Sequence, residues 1–155
     1  LALARTWPDA HVTAVDRDAT ALAAARKAVR AAGLAGRFTL RRADFLHDPL
    51  GDGYDFVIGG SVLGPLPTAA CRDLLARLRD CLRPGGRLGL CEPLLDPTGT
   101  APASAALFAV HLLLNSPAGT VHGRSDVLRW LKDLGFRQVH AVPLGEVDWV
   151  TGCRP

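Results

Sequence analysis

The order of elements along this 155-residue chain predicts an α/β fold. The form expected is a Rossmann-like, doubly wound, mostly parallel sheet with a C-terminal antiparallel strand. Three observations carry the prediction. Short β-prone runs alternate with stretches of helical period. The inner β-prone runs are apolar throughout, as strands covered on both faces are. The last two runs are joined by a short turn and must pair antiparallel, because a parallel crossover needs about a dozen residues or more.

The elements follow in order. Residues 1–6 read as the end of a helix, closed by Trp7-Pro8-Asp9. Residues 11–15 are β-prone and end at Asp16. Asp18 can cap a helix over 19–32, with Leu22, Ala25 and Val29 as its apolar stripe and Gly33 as its stop. A strand over 38–43 ends at Asp44-Phe45, and a third over 54–58 meets Gly59-Gly60-Ser61. The helix over 68–82 has apolar residues at Cys71, Leu74, Leu75, Leu78, Cys81 and Leu82, a 3.6-residue pattern. Arg83-Pro84-Gly85-Gly86 is a stop and turn, and 87–91 is a fourth strand ending at Glu92. A very apolar helix covers 103–115, and Ser125 caps another that runs to Leu134 and stops at Gly135. The closing strands are 138–143 and 146–151, joined at Gly145.

Composition removes several function classes. Hydrophobic residues make up 48% and charged residues 21%, the balance of a globular chain with one core. The net charge of +3 is scattered, with Arg41-Arg42 as its densest pair, whereas a nucleic-acid binder concentrates basic residues on one face. No nucleic-acid partner is expected. No apolar run reaches the roughly 18 residues of a membrane span, so no membrane partner is expected either. The four cysteines lack CxxC spacing, so free thiols in a reducing cytoplasm are expected rather than zinc. The chain has no methionine and starts at Leu1 inside a helical stretch, which predicts a fragment of a longer protein.

In doubly wound sheets the ligand lies across the carboxyl ends of the strands. Asp16 stands at such an end, where a carboxylate can accept from both hydroxyls of a ribose. Its structural alternative is an acid offsetting a helix dipole. At Asp44-Phe45 the carboxylate can accept from a purine amino group while the aromatic ring packs on the purine face. The alternative there is a surface turn beside one core phenylalanine. Gly59 and Gly60 allow close backbone approach to a ligand, or merely let the chain leave the sheet. No GxGxxG, P-loop or nucleophile-triad pattern is present.

The ordered set is more specific than its parts. Asp16, Ala43-Asp44-Phe45, Tyr54-Asp55-Phe56-Val57 and Leu82-Arg83-Pro84-Gly85-Gly86-Arg87-Leu88 together resemble a class I S-adenosylmethionine-dependent methyltransferase. Glu92, the apolar stretch from Ala105 to Asn115, Gly119 and the helix ending Leu134-Gly135-Phe136 narrow the resemblance. They are similar to the small-molecule O-methyltransferases of plant phenolic and actinobacterial polyketide type. The resemblance implies S-adenosylmethionine as cofactor and a small aromatic or polyketide-like acceptor. It gives the ribose to Asp16, the adenine to Asp44 and Phe45, and the border of the methionine portion to Gly59, Gly60 and Ser61. His111 and Asn115, four apart on one helix, would face the acceptor with Glu92, and His111 and Glu92 are the catalytic candidates. His47 and His122 are expected to face solvent.

Two departures from the family pattern stand out. The family's first strand and glycine-rich loop are missing, as is its helical dimerisation domain, so residues 1–155 would be a partial catalytic domain. A homodimer is then expected only of a full-length protein. Many members also carry a Leu-His pair whose histidine is the general base. Here the stretch reads Val62-Leu63-Gly64-Pro65, with Gly64 in the histidine's place. A cofactor-binding relative with other chemistry and a truncated, non-catalytic remnant are the alternatives.

Overall fold

A computed structural model of the chain describes residues 1–116 and 118–155, in two compact units, Leu1–Leu50 and Gly51–Pro155. The first unit holds α1 (Ala2–Thr6), β1 (Val12–Asp16), α2 (Ala19–Ala31) and β2 (Phe38–Arg42), with a 3-10 turn over Ala35–Arg37. β1 and β2 pair in parallel from Val12 opposite Phe38 to Asp16 opposite Arg42. The Asp18 carboxylate caps α2 by accepting from Thr20 N–H at 2.7 Å, as the sequence predicts. Leu22 and Val29 are the buried residues of α2, and Gly33 leaves the helix at φ +70°.

The second unit holds β3 (Tyr54–Gly60), α3 (Thr68–Cys81), β4 (Leu82–Glu92), α4 (Ala103–Asn115), α5 (Arg124–Asp133), β5 (Arg137–Leu144) and β6 (Val147–Cys153). Its sheet runs β3-β4-β6-β5. β3 and β4 are parallel, and β6 is antiparallel to both β4 and β5. The antiparallel closing pair is therefore as expected, and β6 lies between its partners. Gly145 makes the hairpin turn at φ +62°. Helix α3 buries Cys71, Leu74, Leu75, Leu78 and Cys81, five of the six residues its period marks, and the sixth, Leu82, is buried as the first residue of β4.

Beside end shifts of one or two residues in other elements, three boundaries differ from the sequence reading in ways that bear on the site and the turns. β3 does not stop at Ile58, because Gly59 and Gly60 stay in register with Leu90 and Cys91. Gly123, not Ser125, holds the N-cap position of α5, and no side chain caps it. Arg83-Pro84-Gly85-Gly86 interrupts β4 rather than preceding it. Tyr54 pairs with Leu82 and Phe56 with Arg87, so the four residues bulge out opposite Asp55. The Arg83 guanidinium is 2.6 Å from the Asp55 carboxylate, and Gly86 is locked by backbone. A Cβ there would stand 2.8 Å from Arg83 O and 2.9 Å from Tyr54 O. Neither carbonyl can swing away, so Gly86→Ala is expected to destabilise the second unit by about 2 kcal/mol. Urea unfolding checks this.

Helix α4 is apolar nearly all round. Ala105 and Leu112 anchor it with Val121, and Leu95, Phe108 and Ala109 pack alongside. Leu107, Val110, Leu113 and Leu114 are exposed. Among the described residues no helix is long and apolar enough to cross a membrane, and no group of three or more His, Cys, Asp and Glu is placed to hold a metal ion.

Candidate active site

In the first unit the parallel pairing brings Asp16 and Asp44 to one sheet end. Asp16 opposes Arg42, and Ala43 N–H donates to the Asp16 carbonyl at 3.1 Å, so Asp44 follows immediately beside it. Asp16 Oδ1 accepts from Asp18 N–H at 2.8 Å, which fixes the direction of the carboxylate. Asp44 Oδ1 accepts from Leu46 N–H at 2.8 Å, within a turn closed by His47 and Asp48 N–H on the Asp44 carbonyl. Asp16, Asp44 and Phe45 are all half-buried, with part of each side chain reachable by a ligand.

In the second unit the carboxyl ends of β3 and β4 form a second rim. Gly59 is buried, and a Cβ there would be 3.1 Å from both Leu90 Cδ2 and Val62 Cγ2. Its glycine is therefore needed for packing. A Cβ at Gly60 would meet nothing within 4 Å, so the space over Gly60 is open to a ligand. Ser61 sits at φ +50° and donates its N–H to the Cys91 carbonyl at 2.9 Å. A left-handed serine is strained, and such strain tends to gather at binding rims.

Glu92 ends β4 and is only 1% exposed. Its Oε1 accepts from Val62 N–H at 2.7 Å, and Leu63 N–H lies 3.4 Å from both oxygens. Burial pushes its carboxyl up to about 7, and the two amides offset only part of that. A carboxyl held this way pins the loop after β3.

On α4, the His111 ring stacks on Phe108 at 5.9 Å between centroids. The Asn115 amide donates to the His111 carbonyl at 2.9 Å and lies 3.3 Å from Nδ1. With the amide N–H₂ facing Nδ1, the tautomer that fits this arrangement carries its hydrogen on Nε2. Nε2 then presents a donor. Phe108 and Leu112 also reach Gly64: a Cβ there would be 3.1 Å from Leu112 Cδ1 and 3.7 Å from Phe108 Cε1. Gly64 is buried, and its carbonyl accepts from Thr120 N–H at 2.8 Å. A side chain at position 64 would therefore meet α4.

The model of a methyltransferase domain matches residues 1–86, more than half of the chain. The chain belongs to the methyltransferase-domain family. A Streptomyces sahachiroi 3-hydroxy-5-methyl-1-naphthoate 3-O-methyltransferase is 32% identical over 140 residues, covering 90% of this chain and 40% of that protein. The N,N-dimethyltransferase OxyT of Streptomyces rimosus is 37% identical over 153 residues, covering 96% of this chain and 43% of OxyT. Among solved structures, the S-adenosylmethionine-dependent methyltransferase SibL in its apo form superposes with a TM-score of 0.84 at 32% identity, over 99% of this chain and 46% of SibL. This methyltransferase-domain chain therefore spans less than half the length of these relatives.

One group at the rim escapes the sequence. His122, read as facing solvent, is 6% exposed. The segment around it runs beside Leu95, with Leu95 N–H on the His122 carbonyl at 3.0 Å and Arg124 N–H on the Leu95 carbonyl at 2.8 Å. That placement puts the ring beneath the loop after β3, with Nε2 3.3 Å from the Leu63 carbonyl and 3.2 Å from Cys71 Sγ. Cys71 was legible only as an apolar position of α3, and nothing in the spacing links residues 51 apart.

Proposed function

We propose that this methyltransferase domain, residues 1–155, is part of an S-adenosylmethionine-dependent O-methyltransferase for an aromatic or polyketide-like small molecule. The observation that carries the reading is the pairing of Asp16 and Asp44 at one strand end of the β1–β2 pair. Asp16 has a carboxylate oriented by Asp18 N–H, which suits the two hydroxyls of a ribose. Asp44 and the half-buried Phe45 ring suit the adenine. In the other unit, Gly60 and the strained Ser61 border the methionine portion, with Gly59 as packing beneath them.

When bound, S-adenosylmethionine supplies a methyl group activated by its sulfonium, whose sulfur takes the bonding pair. The chain's part is to hold the acceptor in line with that methyl. His111 meets the acceptor oxygen with Nε2–H, and Asn115 sets its tautomer. His111 takes the acceptor's proton only if Asn115 turns away and frees Nδ1. Glu92 serves by holding Val62 and Leu63, since its own oxygens are buried. The small-molecule acceptor is the only partner proposed for this chain, a cytoplasmic location is proposed with it, and homodimerisation is proposed for a longer form alone.

A second reading, transfer to nitrogen, is supported by one observation. The base position is Gly64 and His111 offers a donor, an arrangement that suits a neutral amine bringing its own lone pair. The likeness to OxyT, a protein named for N,N-dimethyl transfer, points the same way.

Titration calorimetry of the chain with S-adenosylmethionine tests the cofactor reading. Saturable binding at one site is expected, and no heat at millimolar cofactor counts against it. Paired phenol and amine acceptors then separate the two readings.

A further inference from the structure

Leu63 is held on both sides of its backbone by buried side chains. Its N–H faces the Glu92 carboxylate at 3.4 Å. Its carbonyl accepts from Leu66 N–H at 3.0 Å, which closes the turn over Gly64-Pro65. Two side chains share that carbonyl, Cys71 Sγ at 3.4 Å and His122 Nε2 at 3.3 Å, and Cys71 Sγ is also 3.6 Å from the Leu66 carbonyl. The ring of His122 stands edge-on to Trp130, with centroids 5.1 Å apart.

The chemistry of this cluster is that of donors. Burial, with the Glu92 charge nearby, pushes the Cys71 thiol up to about 12, so it keeps its proton and is no nucleophile. Nε2 of His122 also lies 3.2 Å from Cys71 Sγ, and the tautomer with its hydrogen on Nε2 lets the ring donate to the Leu63 oxygen while the thiol donates to the Leu63 or Leu66 carbonyl.

We propose that His122, with Cys71, is a positioning residue that locks the Leu63–Leu66 turn and so the loop from Ser61 to α3. The proposal rests on the methyltransferase reading only for what the loop serves. Ser61 would border the methyl donor, and Gly64 packs on Leu112 and Phe108 of the acceptor helix. The lock fixes the spacing of those two ends, and in-line transfer is sensitive to shifts of about 1 Å.

Amide hydrogen exchange on the whole chain tests the lock, with His122→Phe removing the donor and keeping a ring against Trp130. Exchange at Leu66 and Val62–Leu63 is expected to quicken at least tenfold, while Val150 in β6 stays protected and reports an intact fold. His122→Gln should restore protection to within threefold, since its amide places a donor where Nε2 stands. Should His122→Phe fail to fold, Cys71→Ala gives the second reading, with at least threefold faster exchange at Leu66. Unchanged protection in a folded variant, or no rescue by glutamine, overturns the proposal.

A kinetic arm separates positioning from mere structure. His122→Phe is expected to lower kcat about tenfold with the donor KM within threefold, and glutamine should recover it. A loosened loop with unchanged kcat overturns the positioning role. If wild-type chain neither binds donor nor transfers methyl, the methyltransferase reading fails, and the exchange experiment still decides the lock.

Discussion

Raising the pH from 5 to 8 is expected to lower the stability of the second unit by about 2–3 kcal/mol through Glu92 alone. The carboxyl is pushed from 4.5 to about 7 by burial. A raised folded value means the folded chain holds the proton that the unfolded chain releases near 4.5. The contribution is fully present below that value, shrinks as the pH rises through about 7, and is gone above it. No discount for solvent screening applies at 1% exposure. Glu92→Gln isolates the effect, because the amide copies the neutral acid and can still accept from Val62 N–H. At pH 5 the variant should lie within about 1 kcal/mol of wild type. At pH 8 it should be the more stable of the two. Urea midpoints at pH 5, 6.5 and 8, followed by tryptophan fluorescence, read this out. A difference between the two proteins that does not change with pH would sink the assignment.

The same residue shows what a sequence can and cannot disclose. That Glu92 ends a strand was legible from its neighbours, since Leu88, Leu90 and Cys91 are apolar and Pro93 follows. That its side chain turns inward, to hold amides 29 and 30 residues earlier, depends on the parallel register of β3 and β4. No local pattern encodes that register. Helices were legible where their period was clean, as in α3, whose predicted buried stripe is the observed one up to Cys81. The glycine-rich segments were read less well. Gly59-Gly60 and Pro84-Gly85-Gly86 look like exits from the sheet, yet both lie within strands, one by close packing and one as a bulge. Buried histidines are the hardest case. His111 sits in an apolar run and His122 in a polar one, yet His111 is exposed on α4, and the bridge beside Leu95 carries His122 inside.

Asp16→Asn is expected to weaken S-adenosylmethionine binding about thirtyfold, and the geometry of the carboxylate says why. Asp18 N–H already holds Oδ1 at 2.8 Å. An asparagine that keeps that bond turns its N–H₂ outward, toward the place where a ribose hydroxyl should donate. One charge-assisted bond, worth about 1.5–3 kcal/mol, is lost and a donor faces a donor. That range corresponds to roughly ten- to hundredfold in affinity. Two controls keep the effect specific. Asp18→Ala removes the α2 cap, for about 1 kcal/mol of stability, and leaves the ribose acceptor in place. Free adenine lacks the ribose, so its binding should move less than twofold in Asp16→Asn. If adenine and the full cofactor weaken together, Asp16 acts through the fold of β1 and β2. If neither weakens, the ribose assignment is wrong and Asp16 serves only the turn into α2. Loss confined to the ribose-bearing ligand would tie the strand end, and not the fold alone, to the cofactor.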